Sequence, residues 1–172
     1  MSEKALLIID MLNDFVLPGA PLEVPSTREI IPAIKREIAS AREQKAPVIY
    51  MGDAHAPHDR EFSIWPRHCI KGTTGAAVID ELTPESEDRV LEKTTYSAFY
   101  KTGLEALLKK LGVKELVITG CVTNICILYS ASDAVLRGYK VTVPRDCAAW
   151  LDKRDHDFAL RQMENVLKVK IR

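Results

Sequence analysis

Apolar positions along this chain fall into short continuous runs separated by longer amphipathic stretches. Lys4 to Asp10, KALLIID, is one such run ending in a carboxylate, the pattern of a strand buried on both faces. MLNDFVLPGAPL follows as a loop broken by Pro18, Gly19 and Pro21. Ser26 is positioned to cap a helix whose apolar residues are Ile30, Ile31, Ile34, Ile38 and Ala41. Ala46 to Met51 reads as a second buried strand, Asp88 to Glu92 as a third, with Val90 and Leu91 at its centre, and Tyr139 to Val143 as a fifth. The fourth, Glu115 to Thr119, leads through Gly120 into a helix that is apolar on nearly every face, capped by Thr123 or Asn124 and ended by Gly138. Leu104 to Leu111, closed by Gly112, and Asp155 to Val166, with apolar Phe158, Ala159, Met163 and Val166, are further helices; LKVKI, 167–171, alternates as an edge strand. Gly75 to Leu82 reads as a short helical or turn segment. Strand and helix alternation of this kind predicts one α/β domain over 1–172, a doubly wound, Rossmann-like, mostly parallel sheet of six strands with helices on both faces.

Composition narrows the function classes. The chain has 172 residues, enough for one well-buried domain, and 24 acidic against 24 basic residues. Zero formal net charge argues against nucleic acid or an anionic membrane as the main partner. The chain enters a strand pattern at once without a signal-peptide layout, and no run approaches a membrane span. Four irregularly spaced cysteines suit reduced thiols, so a cytoplasmic location is expected.

The chemistry-bearing residues collect where the topology puts strand carboxyl ends. Asp10 ends the first strand, where open α/β sheets bind ligands, although an aspartate there often serves only as a turn cap. Cys126 lies at a strand-to-helix turn, in the expected first turn of its helix, where free N–H groups favour a thiolate nucleophile; a small buried core cysteine is the competing reading. Lys93 follows the third strand, either as a surface charge or as a cation that lowers a thiol's pKa. Gly52 to Gly75 has little periodicity and holds His55, His58 and His68 together with Asp53 and Glu61. So long a loop in a compact domain is usually functional, and these donors suit zinc, iron or manganese; a solvated polar loop is the alternative.

The segments IDMLNDF, DAH…E…WPRHC…GTTGA, EKTTYSAF and GCVTNIC, in this order, resemble the isochorismatase-like cysteine hydrolases, and among them the nicotinamidase (pyrazinamidase) branch. The resemblance spans nearly the whole chain. It implies a catalytic Asp10, Lys93 and Cys126, and a divalent metal, zinc first with iron or manganese as alternatives, held by Asp53, His55 and His68 with Glu61 as a fourth ligand. It implies a substrate pocket of Phe15, Trp65, Tyr96 and Val122, a cis peptide at Cys121–Val122, and His58 as a loop residue outside the ligand set. The implied reaction is amide hydrolysis, nicotinamide to nicotinate and ammonia through a cysteine thioester; a related amidase acting on an N-carbamoyl or ureido substrate would use the same three residues. A non-catalytic protein on the same fold is disfavoured by the joint presence of the triad and the metal donors. The partners expected are a small-molecule amide and further copies of the chain in a homo-oligomer, with no nucleic acid and no membrane.

Overall fold

A computed structural model describes residues 2–172. Six parallel strands form one sheet in the order β3-β2-β1-β4-β5-β6. They are β1 (Lys4–Ile9), β2 (Val48–Asp53), β3 (Arg89–Lys93), β4 (Glu115–Gly120), β5 (Lys140–Val143) and β6 (Lys170–Ile171). The helices are a single turn α1 (Asn13–Val16), then α2 (Thr27–Glu43), α3 (Leu104–Leu111), α4 (Leu128–Leu136) and α5 (Lys153–Asn165). The chain winds outward from β1 to β3, then outward again from β4 to β6, so the direction of winding reverses between β1 and β4. Ligands in doubly wound sheets bind at such a reversal, beyond the strand carboxyl ends.

Alternating side chains of one strand feed two cores. Leu6 and Ile8 of β1 pack with Val48 and Tyr50 of β2 against Ile30, Ala33 and Ile34 of α2. Leu7 and Ile9 pack with Ile49, Met51, Leu116 and Ile118 against Leu104 and Leu108 of α3, Ala131 and Ala134 of α4, and Leu160 and Met163 of α5. Coverage on both faces is why the central strands read as unbroken apolar runs. No helix is long and apolar enough to cross a membrane among the described residues.

Several elements depart from the sequence expectation. β3 is an edge strand shifted one residue on, so Lys93 is its last residue rather than the residue after it, and Val90 is 58% exposed while Leu91 packs inward. The β2-to-β3 connection contains only short 3₁₀ turns (Arg60–Ser63, Thr74–Ala76, Asp80–Leu82), which leave that edge thinly covered. The last strand shrinks to two residues because Lys168 turns through a φ of 58° and Val169 drops into the core. In α5 the inward face is His156, Ala159, Leu160 and Met163, spaced at 3, 1 and 3; Phe158 lies on the other side and is exposed, and Val166 falls past the helix end, at its C-cap, and is exposed too. Ser26 does not cap α2 with its side chain; its hydroxyl spans to the Trp150 backbone instead. α4 is not apolar all round in context: Ser130, Ala131 and Ala134 are buried and Tyr129 and Leu136 are exposed.

Gly120 fixes the exit of β4. Its φ is +116°, and a Cβ built there would lie 1.9 Å from the Ile9 carbonyl oxygen. Gly120→Ala is expected to destabilise the fold by about 3 kcal/mol or more, through backbone strain and loss of the β1–β4 register. Gly103, whose added Cβ would meet nothing within 4 Å, is the control. Its alanine variant should stay within about 1 kcal/mol of the parent in a denaturant melt.

Candidate active site

Three strand ends deliver the first group of residues. Asp10 follows β1 at a φ of 55°, held by its backbone N–H to Met51 O at 2.9 Å. Lys93 ends β3. Cys126 lies beyond β4, where the chain passes through the cis Cys121–Val122 peptide into a π-helical turn, Thr123–Ile127. That turn replaces the expected first turn of an α-helix, and its preceding residue Val122 is extended with no side-chain cap. Apolar residues at 122, 125, 126 and 127 fit either geometry, so the sequence does not separate the two.

Lys93 is only 2% exposed, and its ammonium is shared three ways. Nζ lies 2.5 Å from Asp53 Oδ1, 2.8 Å from Asp10 Oδ2 and 3.5 Å from Cys126 Sγ. Asp10 Oδ1 accepts the Asp53 backbone N–H at 3.0 Å. Its Oδ2, though ion-paired, receives no aligned hydrogen bond among the described residues and keeps a lone pair for an incoming proton. Two carboxylates and one ammonium carry net negative charge before the thiol ionises. Burial first, and then the Asp53 charge, raise the Asp10 pKa to about 6 against the pull of Lys93. Burial also pushes the Cys126 thiol well up; Lys93 offsets part of this, and Asp10 and Asp53 add to it. The resting state is therefore a thiol beside a proton acceptor, not the standing thiolate that the turn alone suggests.

Asp53 joins this group to a second one. Its Oδ2 faces His55 Nε2 at 3.6 Å and His68 Nε2 at 3.8 Å, and both imidazoles stand 4.0 Å from Glu61 Oε1. These four donors lie within 4.8 Å of one another. The separations are too long for hydrogen bonds. They suit a shared cation, since bonds of ~2.0–2.2 Å place tetrahedral donors roughly 3.3–3.6 Å apart. His55 is wholly buried, yet its Nε2 has no hydrogen-bond partner among the described residues. The donor set of two carboxylates and two imidazoles fits a divalent ion. Burial disfavours the His55 imidazolium, but Asp53, Asp59 and Glu61 outweigh it and lift the pKa to about 9, the mark of a donor group rich in negative charge.

All four expected ligands are thus brought together, and His58 is exposed outside them. Sequence reasoning missed Asp59. Its carboxylate accepts the Glu61 N–H at 2.9 Å and lies 3.2 Å from His55 Nδ1, so it holds one donor's backbone and sets a charge beside another. Its position two residues before Glu61 is the signature of an N-cap and was the available signal. Pro66 O, 2.7 Å from His68 Nδ1, orients the other imidazole.

Both groups open into one cleft. Phe15, Trp65, Tyr96 and Val122 line it as expected. The Trp65 indole N–H donates to Tyr96 Oη at 3.1 Å, and Phe15 packs on His68 with ring centroids 5.4 Å apart. Leu22, Val24, Ile125 and Leu151 also line it; they come from loops and the π-helical turn, where no periodicity marks a facing direction.

The doubly wound parallel sheet brings Asp10, Lys93 and Cys126 together beyond its strand carboxyl ends, and residues 4–170 match the isochorismatase domain. The chain belongs to the isochorismatase family. It is 36% identical over 170 residues to the uncharacterised isochorismatase family protein YaaI of Bacillus subtilis, covering 99% of this chain and 93% of that one. The crystal structure of a pyrazinamidase from Pyrococcus horikoshii in complex with zinc superposes with a TM-score of 0.94 at 31% identity, covering 99% of each chain. The N-carbamoylsarcosine amidase of Thermoplasma acidophilum superposes with a TM-score of 0.89 at 34% identity, covering 98% of this chain and 95% of that one.

One variant and one labelling experiment test the electrostatics. Lys93→Met should raise the Cys126 pKa further, because the adjacent cation favours the charged form, and should slow alkylation at neutral pH by about tenfold or more. It should also lower stability by about 3–5 kcal/mol, since two buried carboxylates lose their counter-ion; a thermal melt reads that separately. Peptide mapping after a small neutral alkylating reagent should show Cys126 modified ahead of Cys69, Cys121 and Cys147. Preferred labelling of Cys121 would assign the reactive thiol elsewhere.

Proposed function

We propose that this protein is a cysteine amidohydrolase that converts nicotinamide to nicotinate and ammonia. The observation that carries the choice of substrate is the composition of the cleft. Aromatic and aliphatic side chains form its walls, and the charged residues that line it are Asp10, Asp53, Glu61 and His68. Lys93, the nearby ammonium, is already committed to two carboxylates. Such a cleft favours an uncharged, flat amide over one that carries its own carboxylate. The zinc-bound pyrazinamidase and the four-donor group beside the thiol support the same reading.

In this mechanism Asp10 takes the Cys126 proton as the sulfur attacks the carboxamide carbon. Lys93 balances the charge that develops, and the backbone N–H groups of Val122 and Cys126 are the donors for the oxyanion. Asp10 then protonates the departing ammonia, leaving a thioester on Cys126. Water, deprotonated by Asp10, releases the acid and restores the thiol. A divalent ion held by Asp53, His55, Glu61 and His68, zinc by preference, would supply a Lewis-acidic contact for the pyridine nitrogen. Phe15 and Trp65 flank the ring.

Ammonia release from a panel of amides tests the assignment. Nicotinamide should be hydrolysed, with activity lost on chelation and in His55→Ala and His68→Ala together with near-stoichiometric bound metal. Protein that carries no metal and hydrolyses a carbamoyl or ureido substrate while ignoring nicotinamide would overturn it. The solved N-carbamoylsarcosine amidase makes that the outcome to watch for. Asp10 acts as a base in its ionised form, so kcat/KM should rise with pH through about 6 and then level, and activity should fall away below that value.

A further inference from the structure

Thr123 opens the turn that carries Cys126, and its side chain faces away from the cleft into a buried polar chain. The hydroxyl lies 2.6 Å from the Ala149 carbonyl oxygen and 2.8 Å from His156 Nδ1. The Thr123 backbone N–H donates to the same carbonyl at 2.8 Å, while the Ala149 N–H donates to Gly120 O at 2.9 Å. His156, on the inward face of α5, is 1% exposed and packs against the Trp150 indole with ring centroids 4.8 Å apart. Trp150 is pinned in turn, its N–H and carbonyl both held by the Ser26 hydroxyl at 2.7 and 2.6 Å. One proton assignment satisfies both contacts of the hydroxyl: Nδ1–H donates to Oγ1, and Oγ1–H donates to Ala149 O.

We propose that His156 is a positioning residue, which fixes the nucleophile turn through Thr123 and so aims Cys126 at Asp10 and Lys93. Neither His156 nor Thr123 lines the cleft. An apolar pair would fill the same space without the desolvation cost of a buried polar chain, so the chain's contribution is directional. The hydroxyl and the backbone N–H of Thr123 converge on one carbonyl, which leaves the turn little freedom to rotate about its own axis. The reaction geometry is sensitive to such rotation, since a displacement of about 1 Å can cost about a hundredfold in rate. The ring is neutral at working pH: burial, then Lys153 and Arg145, outweigh Asp157 and lower the His156 pKa to about 4. This inference rests on Cys126 as the nucleophile and on no particular amide.

The test compares His156→Leu, His156→Asn, Thr123→Val and the Leu/Val double variant. His156→Leu should lower kcat by about 10- to 100-fold with KM held within about threefold, and should slow Cys126 alkylation in the absence of any substrate. His156→Asn retains a donor near the Nδ1 position and should recover most of both. Thr123→Val should match His156→Leu, with the double variant no worse than either single one, as expected for two links of one chain. Unchanged kcat and alkylation in His156→Leu, additive losses, or an Asn variant as impaired as Leu would each overturn the proposal. Should His156→Leu fail to fold, Thr123→Val against Thr123→Ser decides the matter by the same readouts. Failure of the nucleophile assignment itself would look different, with Cys126→Ala keeping turnover.

Discussion

A single buried ammonium holds this site together. Lys93 reaches Asp10, Asp53 and the Cys126 sulfur from the end of an edge strand, and each partner comes from a different strand end. Burying three charges is costly unless each finds its counter-charge. The sheet solves this by placing the carboxyl ends of β1, β2 and β3 side by side. Burial, with the excess negative charge adding to it, then sets the chemistry, keeping the thiol protonated at rest and raising the Asp10 pKa into the range where it can accept and return a proton.

Asp53 divides the site into two halves with different tasks. One oxygen meets Lys93, and the other faces His55 and His68. A change in one half is therefore felt in the other through a single carboxylate. In the proposed function, the aromatic walls and the four-donor group select and orient a ligand, while the Asp10, Lys93 and Cys126 group acts on its amide.

Much of this is legible in the sequence, for a physical reason. Strands covered on both faces leave continuous apolar runs; Asp10 marks the end of one of them, and Cys126 lies in the turn that follows another. The donor types in the long loop announce a group able to hold a metal without periodicity, and the family resemblance supplies the roles expected of them. What the sequence hides depends on tertiary context. Asp59 looks like any loop aspartate until the 3₁₀ turn folds it over His55. The π-helical turn and an α-helical turn bury the same apolar residues. Ser26 carries a good capping residue type, yet its hydroxyl is drawn to Trp150, 124 positions away. Val90 and Phe158 have core composition but lie on faces that no neighbouring element covers.

Covalent chemistry at Cys126 is the claim on which the rest depends. Rapid acid quenching during nicotinamide turnover, followed by mass spectrometry of the peptide containing Cys126, tests it most directly. The account predicts a nicotinoyl thioester on Cys126, and a Cys126→Ala variant that forms no adduct and hydrolyses at least about a thousandfold more slowly. Hydrolysis by Cys126→Ala at the parent rate would contradict it.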